Sequence, residues 1–256
     1  MQLLRDLYNN IIPKEARFWF YKLRHRKEMS ALKTSVFPSD KGDFSLRRYY
    51  QHECVFVHVT KAAGTSLALS LFGELPYHYT AQEYRVIYGR SDFNRFFKFT
   101  FVRNPWDRLY SAYSYLQGGG WNPQDAEWAK KHLSSIHSFD DFVMNWLTPE
   151  RLQAHIHLWP QSDFICDRHG KPIIDHLGYF ETIQQDFDTI CMRLNIPRSN
   201  LKHTNASKRS DYKEVYSATA IQKVAVLYQQ DIANFGYSFD DMNRMKIAGD
   251  QFVSAS

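Results

Sequence analysis

An α/β fold, a central parallel β-sheet flanked by helices, is predicted by two places where a strand-like run gives way to a helical repeat. In the first, Val55, Val57 and Val59 alternate with Phe56 and His58, a pattern suited to a strand buried on both faces. Leu67, Ala68, Leu71 and Phe72 then recur at helical spacing. In the second, Phe97, Phe99, Phe101 and Val102 lead into Trp106, Leu109, Tyr110 and Tyr113 at i, i+3, i+4 and i+7. A length of 256 residues with 44% hydrophobic content is ample for one such domain.

Residues 1–46 read as a helical, basic extension, with the aromatic and cationic segment Arg17 to Lys27 at its centre. Two readings of this segment stand: an amphipathic helix on an anionic membrane surface, or a helix packed on the domain with its cations in solvent. Phe37 to Gly42 marks a loop, and the main domain is expected to span 47–240, followed by a loosely held tail over 241–256.

Between the first strand and its helix, Thr60 to Ser66 supplies Gly64 for close backbone approach, Lys61 as a point charge, and the hydroxyls of Thr65 and Ser66 at the helix start. Exposed N–H groups at a helix N-terminus favour an anion, so the stretch reads as a phosphate cradle. A plain strand-turn-helix connection with a surface lysine is the simpler alternative. The Walker A order of Gly-Lys-Ser/Thr after an earlier glycine is missing, which disfavours a nucleotide kinase or ATPase.

Gly73 to Pro76 breaks the chain, and Thr80 with Glu83 three residues on predicts a capping box for the next helix. His78 falls in the preceding loop, where a lone histidine is either structural or an acid/base group. Before the second helix, Asn104 suits a cap and Pro105 the first helical position. Arg103, at the carboxyl end of its strand, sits where ligands of open α/β sheets bind and can clasp a phosphate. Arg108 and Ser111 share a face apart from the apolar stripe.

Gly118 to Gly120 closes that helix, and the chain on to Trp146 is expected to be helical and to form one wall of an acceptor cleft. Two short apolar runs around a glycine turn at Gly170, within His155 to Ile165 and Cys166 to Ile174, predict a hairpin. A packing helix opens at Tyr179-Phe-Glu and carries Ile183, Phe187, Ile190 and Leu194 until Pro197 stops it. His203 to Lys213 reads as a polar, cationic loop. The last helix carries Ile221, Val224, Ala225, Tyr228, Ile232 and Phe235 on one face and ends at Gly236.

The excess of 32 Lys+Arg over 27 Asp+Glu suits anionic ligands but does not by itself indicate nucleic acid. Cys54, Cys166 and Cys191 are too scattered for a disulfide framework or a zinc site. With no long apolar run and no secretion signal, a cytoplasmic protein is expected, and the N-terminal segment, on the first of its two readings, is the one place for peripheral membrane contact. Asn205 to Ser207 reads as an accidental glycosylation sequon in that setting.

Thr60-Lys-Ala-Ala-Gly-Thr-Ser66, followed about 40 residues later by Phe101-Val-Arg-Asn-Pro-Trp-Asp-Arg-Leu-Tyr-Ser-Ala-Tyr113, resembles the paired nucleotide-binding signatures of the carbohydrate sulfotransferase type 2 family. Thr60 stands where the family has proline. The resemblance spans roughly residues 52–240 and implies a P-loop NTPase-like sulfotransferase fold. It further implies transfer from 3′-phosphoadenosine 5′-phosphosulfate (PAPS) to a saccharide or polysaccharide hydroxyl, with no metal. Lys61, Gly64, Thr65 and Ser66 would then hold the 5′-phosphosulfate, and Arg103 and Ser111 the 3′-phosphate. Lys208 and Arg209 would close over the nucleotide. Lys61 would also stabilise the departing bridge oxygen, and His78 would be the base because related uronyl enzymes place a histidine between the two motifs. His155 and His157 are its rivals. Two other classes remain open: an ATP-dependent phosphotransferase, and a non-enzymatic module for acidic glycans. Oligomeric state has no signal in the sequence.

Overall fold

The computed structural model describes residues 14–39, 42–201 and 210–240. The cationic, aromatic segment forms two helices, α1 (Lys14–Arg24) and α2 (Arg26–Ala31). One side of α1 packs on the domain: Lys22 donates to the Val86 and Ile87 carbonyls, and the Phe18 ring lies 5.8 Å from that of Tyr79. β1 (Val36–Phe37) and β2 (Phe44–Ser45) pair antiparallel on either side of the loop expected from Phe37 onward. α3 (Arg47–Gln51) then leads into the sheet.

Three parallel strands, β3 (Cys54–Val57), β4 (Phe97–Val102) and β5 (His176–Tyr179), lie in the order β3-β4-β5. Crossovers through helices join them, as parallel pairing requires. α4 (Gly64–Phe72) and α5 (Ala81–Arg95) make the first. The second contains α6 (Pro105–Gln117), α7 (Pro123–Leu133), α8 (Phe139–Asp141) running into a π-helical turn at Phe142–Trp146, and α9 (Ser162–Ile165). After β5 come α10 (Ile183–Leu194), α11 (Ala218–Leu227) and α12 (Gln229–Phe235). This is the expected α/β architecture, a parallel sheet flanked by helices.

Every residue of β3 is buried, as are Lys98 to Val102 of β4, which is why both read as continuous β-branched and aromatic runs. Phe56 and Phe99 stack at 5.1 Å across the strand pair, and each ring contributes about 1.5–3 kcal/mol by leaving water. The helix starts follow the local signals. Thr80 accepts the Glu83 N–H while Glu83 accepts the Thr80 N–H, and Asn104 accepts the Trp106 N–H ahead of Pro105.

Three elements differ from expectation. The hairpin around Gly170 is reduced to one bridge, Cys166 with Pro172, because Ser162–Ile165 is helical. Its start is held by buried Asp231, which accepts the N–H groups of Gln161 and Ser162 at 2.7 Å each. β5 has no β-branched run to announce it; Gly178 is needed because a Cβ there would lie 2.7 Å from the Phe101 ring. Tyr179 therefore ends a strand rather than opening a helix. The last helix divides at Tyr228, whose hydroxyl donates to the Leu158 carbonyl at 2.7 Å. The three cysteines are free, two buried and Cys166 half-buried. The tail over 241–256 lies outside the described residues.

Candidate active site

At the carboxyl ends of β3 and β4 a cavity of about 1200 Å³ opens, and the turn from β3 into α4 forms its floor. Lys61 and Ala63 adopt φ of 63° and 62°, in the left-handed region that costs a non-glycine residue about 1–2 kcal/mol. Ala63 is the residue before the helix, and no side-chain hydrogen bond caps α4. Gly64, Thr65 and Ser66, the first residues of α4, line the cavity. Gly64 is required by close approach: a Cβ there would fall 1.9 Å from the ring of His58. The Lys61 ammonium lies 4.0 Å from the centre of the Tyr115 ring, a favourable cation–π arrangement.

The β4 junction supplies the opposite wall. The Arg103 guanidinium is clamped to the Asp107 carboxylate, donates to the Lys61 carbonyl at 3.2 Å and lies over the Phe180 ring, 4.0 Å from its centre. It thus ties the two motif loops together, with Ser111 beside it in the cavity wall. Gln161 holds the Arg103 backbone from both sides, accepting its N–H at 2.9 Å and donating to its carbonyl at 2.8 Å. One turn on, Arg108 does not share the open face with Ser111. It is fully buried and donates to the carbonyls of Thr60, His157 and Trp159, pinning the start of the first loop to the histidine segment.

Four histidines gather at the third side. His78 lines the cavity with its Nδ1 3.1 Å from the His58 carbonyl oxygen. A carbonyl only accepts, so Nδ1 carries the proton and Nε2 keeps its lone pair. Burial lowers the His78 pKa from its ordinary value, opposed by that hydrogen bond and by Asp125. His155 has both nitrogens engaged, Nε2 on Asp125 at 3.2 Å and Nδ1 accepting the His157 N–H at 3.3 Å. His157 is buried against Tyr115 and His78, and burial drives its pKa well down, as it does for His58. Asp125 also accepts from the Tyr115 hydroxyl at 2.6 Å, so one carboxylate orients both His155 and the ring beneath Lys61.

Lys61, Gly64, Thr65, Ser66, His78, Arg103 and Ser111, distant in sequence, all line this one cavity. Lys208 and Arg209 lie outside the described residues, which resume at Ser210 on the cavity's edge. Asp107, Tyr115, Asp125 and Gln161 escaped the sequence reading. Asp107 had a signal, since an acid four residues after Arg103 in a helix start is a natural ion-pair partner; the other three are placed by tertiary contacts. Among the described residues no group of His, Cys, Asp or Glu is arranged to hold a metal ion, and no helix is long and apolar enough to cross a membrane.

A curated protein of Archaeoglobus fulgidus, described only as an uncharacterized protein, is 23% identical over 129 residues, covering 50% of this chain and 91% of that one. No solved structure matches the chain. The Sulfotransferase family matches residues 74–238, beginning after the Thr60 to Ser66 loop. That span takes in His78, Arg103, Ser111 and the His155 and His157 pair. The likeness thus covers more than half of the chain, and the chain belongs to the sulfotransferase family, whose membership implies a PAPS-dependent transferase.

Proposed function

We propose that the protein moves a sulfuryl group from PAPS to a hydroxyl of a saccharide or polysaccharide, with His78 as the base. The observation that carries this reading is the uncapped start of α4, flanked by Lys61 and facing Arg103 and Ser111 across the cavity. A dianionic group fits such a place, where amides and a point charge converge and Gly64 permits close approach. Lys61, Gly64, Thr65 and Ser66 would hold the 5′-phosphosulfate, and Arg103 and Ser111 the 3′-phosphate. When bound, PAPS supplies the sulfuryl group and leaves as the bisphosphate.

The chain's own part is to orient and to handle one proton. His78 Nε2 takes the proton of the acceptor hydroxyl as its oxygen bonds to sulfur, while the Lys61 ammonium stabilises charge on the bridge oxygen whose bond to sulfur breaks. His78 is favoured over its rivals because His155 has no nitrogen to spare and His157, although it also lines the cavity, is more deeply buried than His78. Phe44, Trp121 and Asn122, which also line the cavity, offer the flat apolar faces and amide groups that suit a sugar ring.

Calorimetric titration with 3′-phosphoadenosine 5′-phosphate and with ATP, without metal, tests the donor site. Selective binding of the bisphosphate that weakens in Arg103→Ala is expected; equal or preferential ATP binding would sink the reading. Transfer from labelled PAPS to a saccharide panel tests the acceptor, and sulfation confined to phenols or sterols would overturn the saccharide part.

A further inference from the structure

α1 has one side packed on the domain, through Phe18 and Lys22, and another turned to solvent. On the outer side Trp19, Phe20 and Leu23 are 49%, 53% and 44% exposed. Arg24 and Lys27 are exposed just beyond them. Positions 19, 20, 23 and 24 fall on one face of α1 at helical spacing, and Lys27 follows in α2. Three large apolar side chains are thus held together in water, edged by two cations.

The charge of the chain is gathered at the same place. Residues 14–27 contain six Lys and Arg (Lys14, Arg17, Lys22, Arg24, Arg26, Lys27) against one acid, Glu15, a surplus of five that equals the formal net charge of the whole chain, +5. The remainder is therefore balanced. Aromatic side chains seated at the headgroup boundary with cations beside them is how a helix lies on a bilayer, and the attraction needs anionic lipid. A second copy of the chain is a poor occupant, because pairing two such faces would bring two +5 segments together.

We propose that α1 docks the protein on an anionic lipid surface through Trp19, Phe20, Leu23 and Arg24, with Lys27 at the start of α2 adding a second cation. The docked helix is joined to the cavity rim by a seam of rings. Phe18 meets Tyr79 at 5.8 Å, Tyr79 meets Tyr77 at 5.5 Å, and Tyr77 meets Phe44 of the cavity wall at 5.5 Å. The docking does not depend on the transferase reading.

The test is sedimentation of the full chain with vesicles of phosphatidylcholine alone and of phosphatidylcholine with phosphatidylserine. The wild type is expected to pellet with the anionic vesicles only and to be released by added salt. Trp19→Ser/Phe20→Ser/Leu23→Ser and, separately, Arg24→Glu/Lys27→Glu should each lower the bound fraction at least about tenfold with an unchanged melting curve. The charge pair lies wholly on the surface, so it remains informative should the apolar variant unfold. No pelleting with either vesicle, or pelleting that the charge reversal leaves intact, overturns the proposal. So does a wild-type dimer that the apolar variant converts to monomer, since the face would then belong to a second copy.

Discussion

At the end of β4 the chain enters α6 through Asn104, which accepts the Trp106 N–H at 3.0 Å, and Pro105, which has no N–H to leave unpaired. At the end of β3 it enters α4 through Ala63 in the left-handed region, with no capping side chain. The first junction satisfies its own helix start and presents side chains, Arg103 and Ser111, to the cavity. The second spends about 1–2 kcal/mol at each of two strained residues and presents backbone. Two neighbouring strand-to-helix turns therefore meet one cavity differently: one brings a helix start without a capping side chain, beside Lys61, and the other the side chains of Arg103 and Ser111.

The contrast can be broken most forcefully at the open junction. His78 hangs from it by the His58 carbonyl, so His78→Ala should lower transfer about 10²–10⁴-fold with an unchanged melting temperature; full activity there, with His157→Ala inactive, would move the base to His157. Lys61→Ala should lower kcat about 10²–10³-fold while the protein stays folded, and an unchanged kcat would show that the ammonium serves Tyr115 rather than the reaction. Arg103→Ala, at the closed junction, should weaken bisphosphate binding by about 1.5–3 kcal/mol, the range of a charged hydrogen bond. Asn104→Ala should cost about 1 kcal/mol of stability and leave bisphosphate affinity within about twofold. Should the cap variant lose affinity as steeply as Arg103→Ala, the division between the two junctions fails.

pH sharpens the same comparison. A base must be neutral, and burial holds the His78 pKa below its ordinary 6.5, so the acid limb of kcat/KM should be centred below pH 6.5. An acid limb centred above 6.5 would contradict the burial. Stability follows with a definite sign. His58 and His157 are held neutral by burial, with folded pKa values well below 6.5. The unfolded chain binds protons first as pH falls, so their contribution is complete above about pH 6.5 and is lost below it. Melting temperatures from pH 8 to pH 5 should show a plateau, then a decline.

Much of this was legible from local pattern. β3, β4, the Thr80 and Asn104 caps and the glycine C-cap at Gly236 follow from side-chain period and termini, which depend on neighbours in sequence. β5 was not legible, because His-Leu-Gly-Tyr becomes a strand through pairing with β4 and through the Phe101 ring that fills the space beside Gly178. α9 was misread as part of a hairpin for the same reason: its cap is Asp231, seventy residues away.

What the sequence determined by itself is which residue types stand at the ends of two buried strands: a cationic loop with one glycine, and an arginine followed by a capped helix. Period and capping are short-range physics, so the chain carries them wherever it folds. Tertiary structure alone decided that Gly64 is close to His58, that His78 keeps a free Nε2 while His155 does not, and that Arg108 is a buried tie rather than a ligand. Those choices depend on which polar groups burial forces to find partners, and the partners come from segments that meet only when the sheet closes.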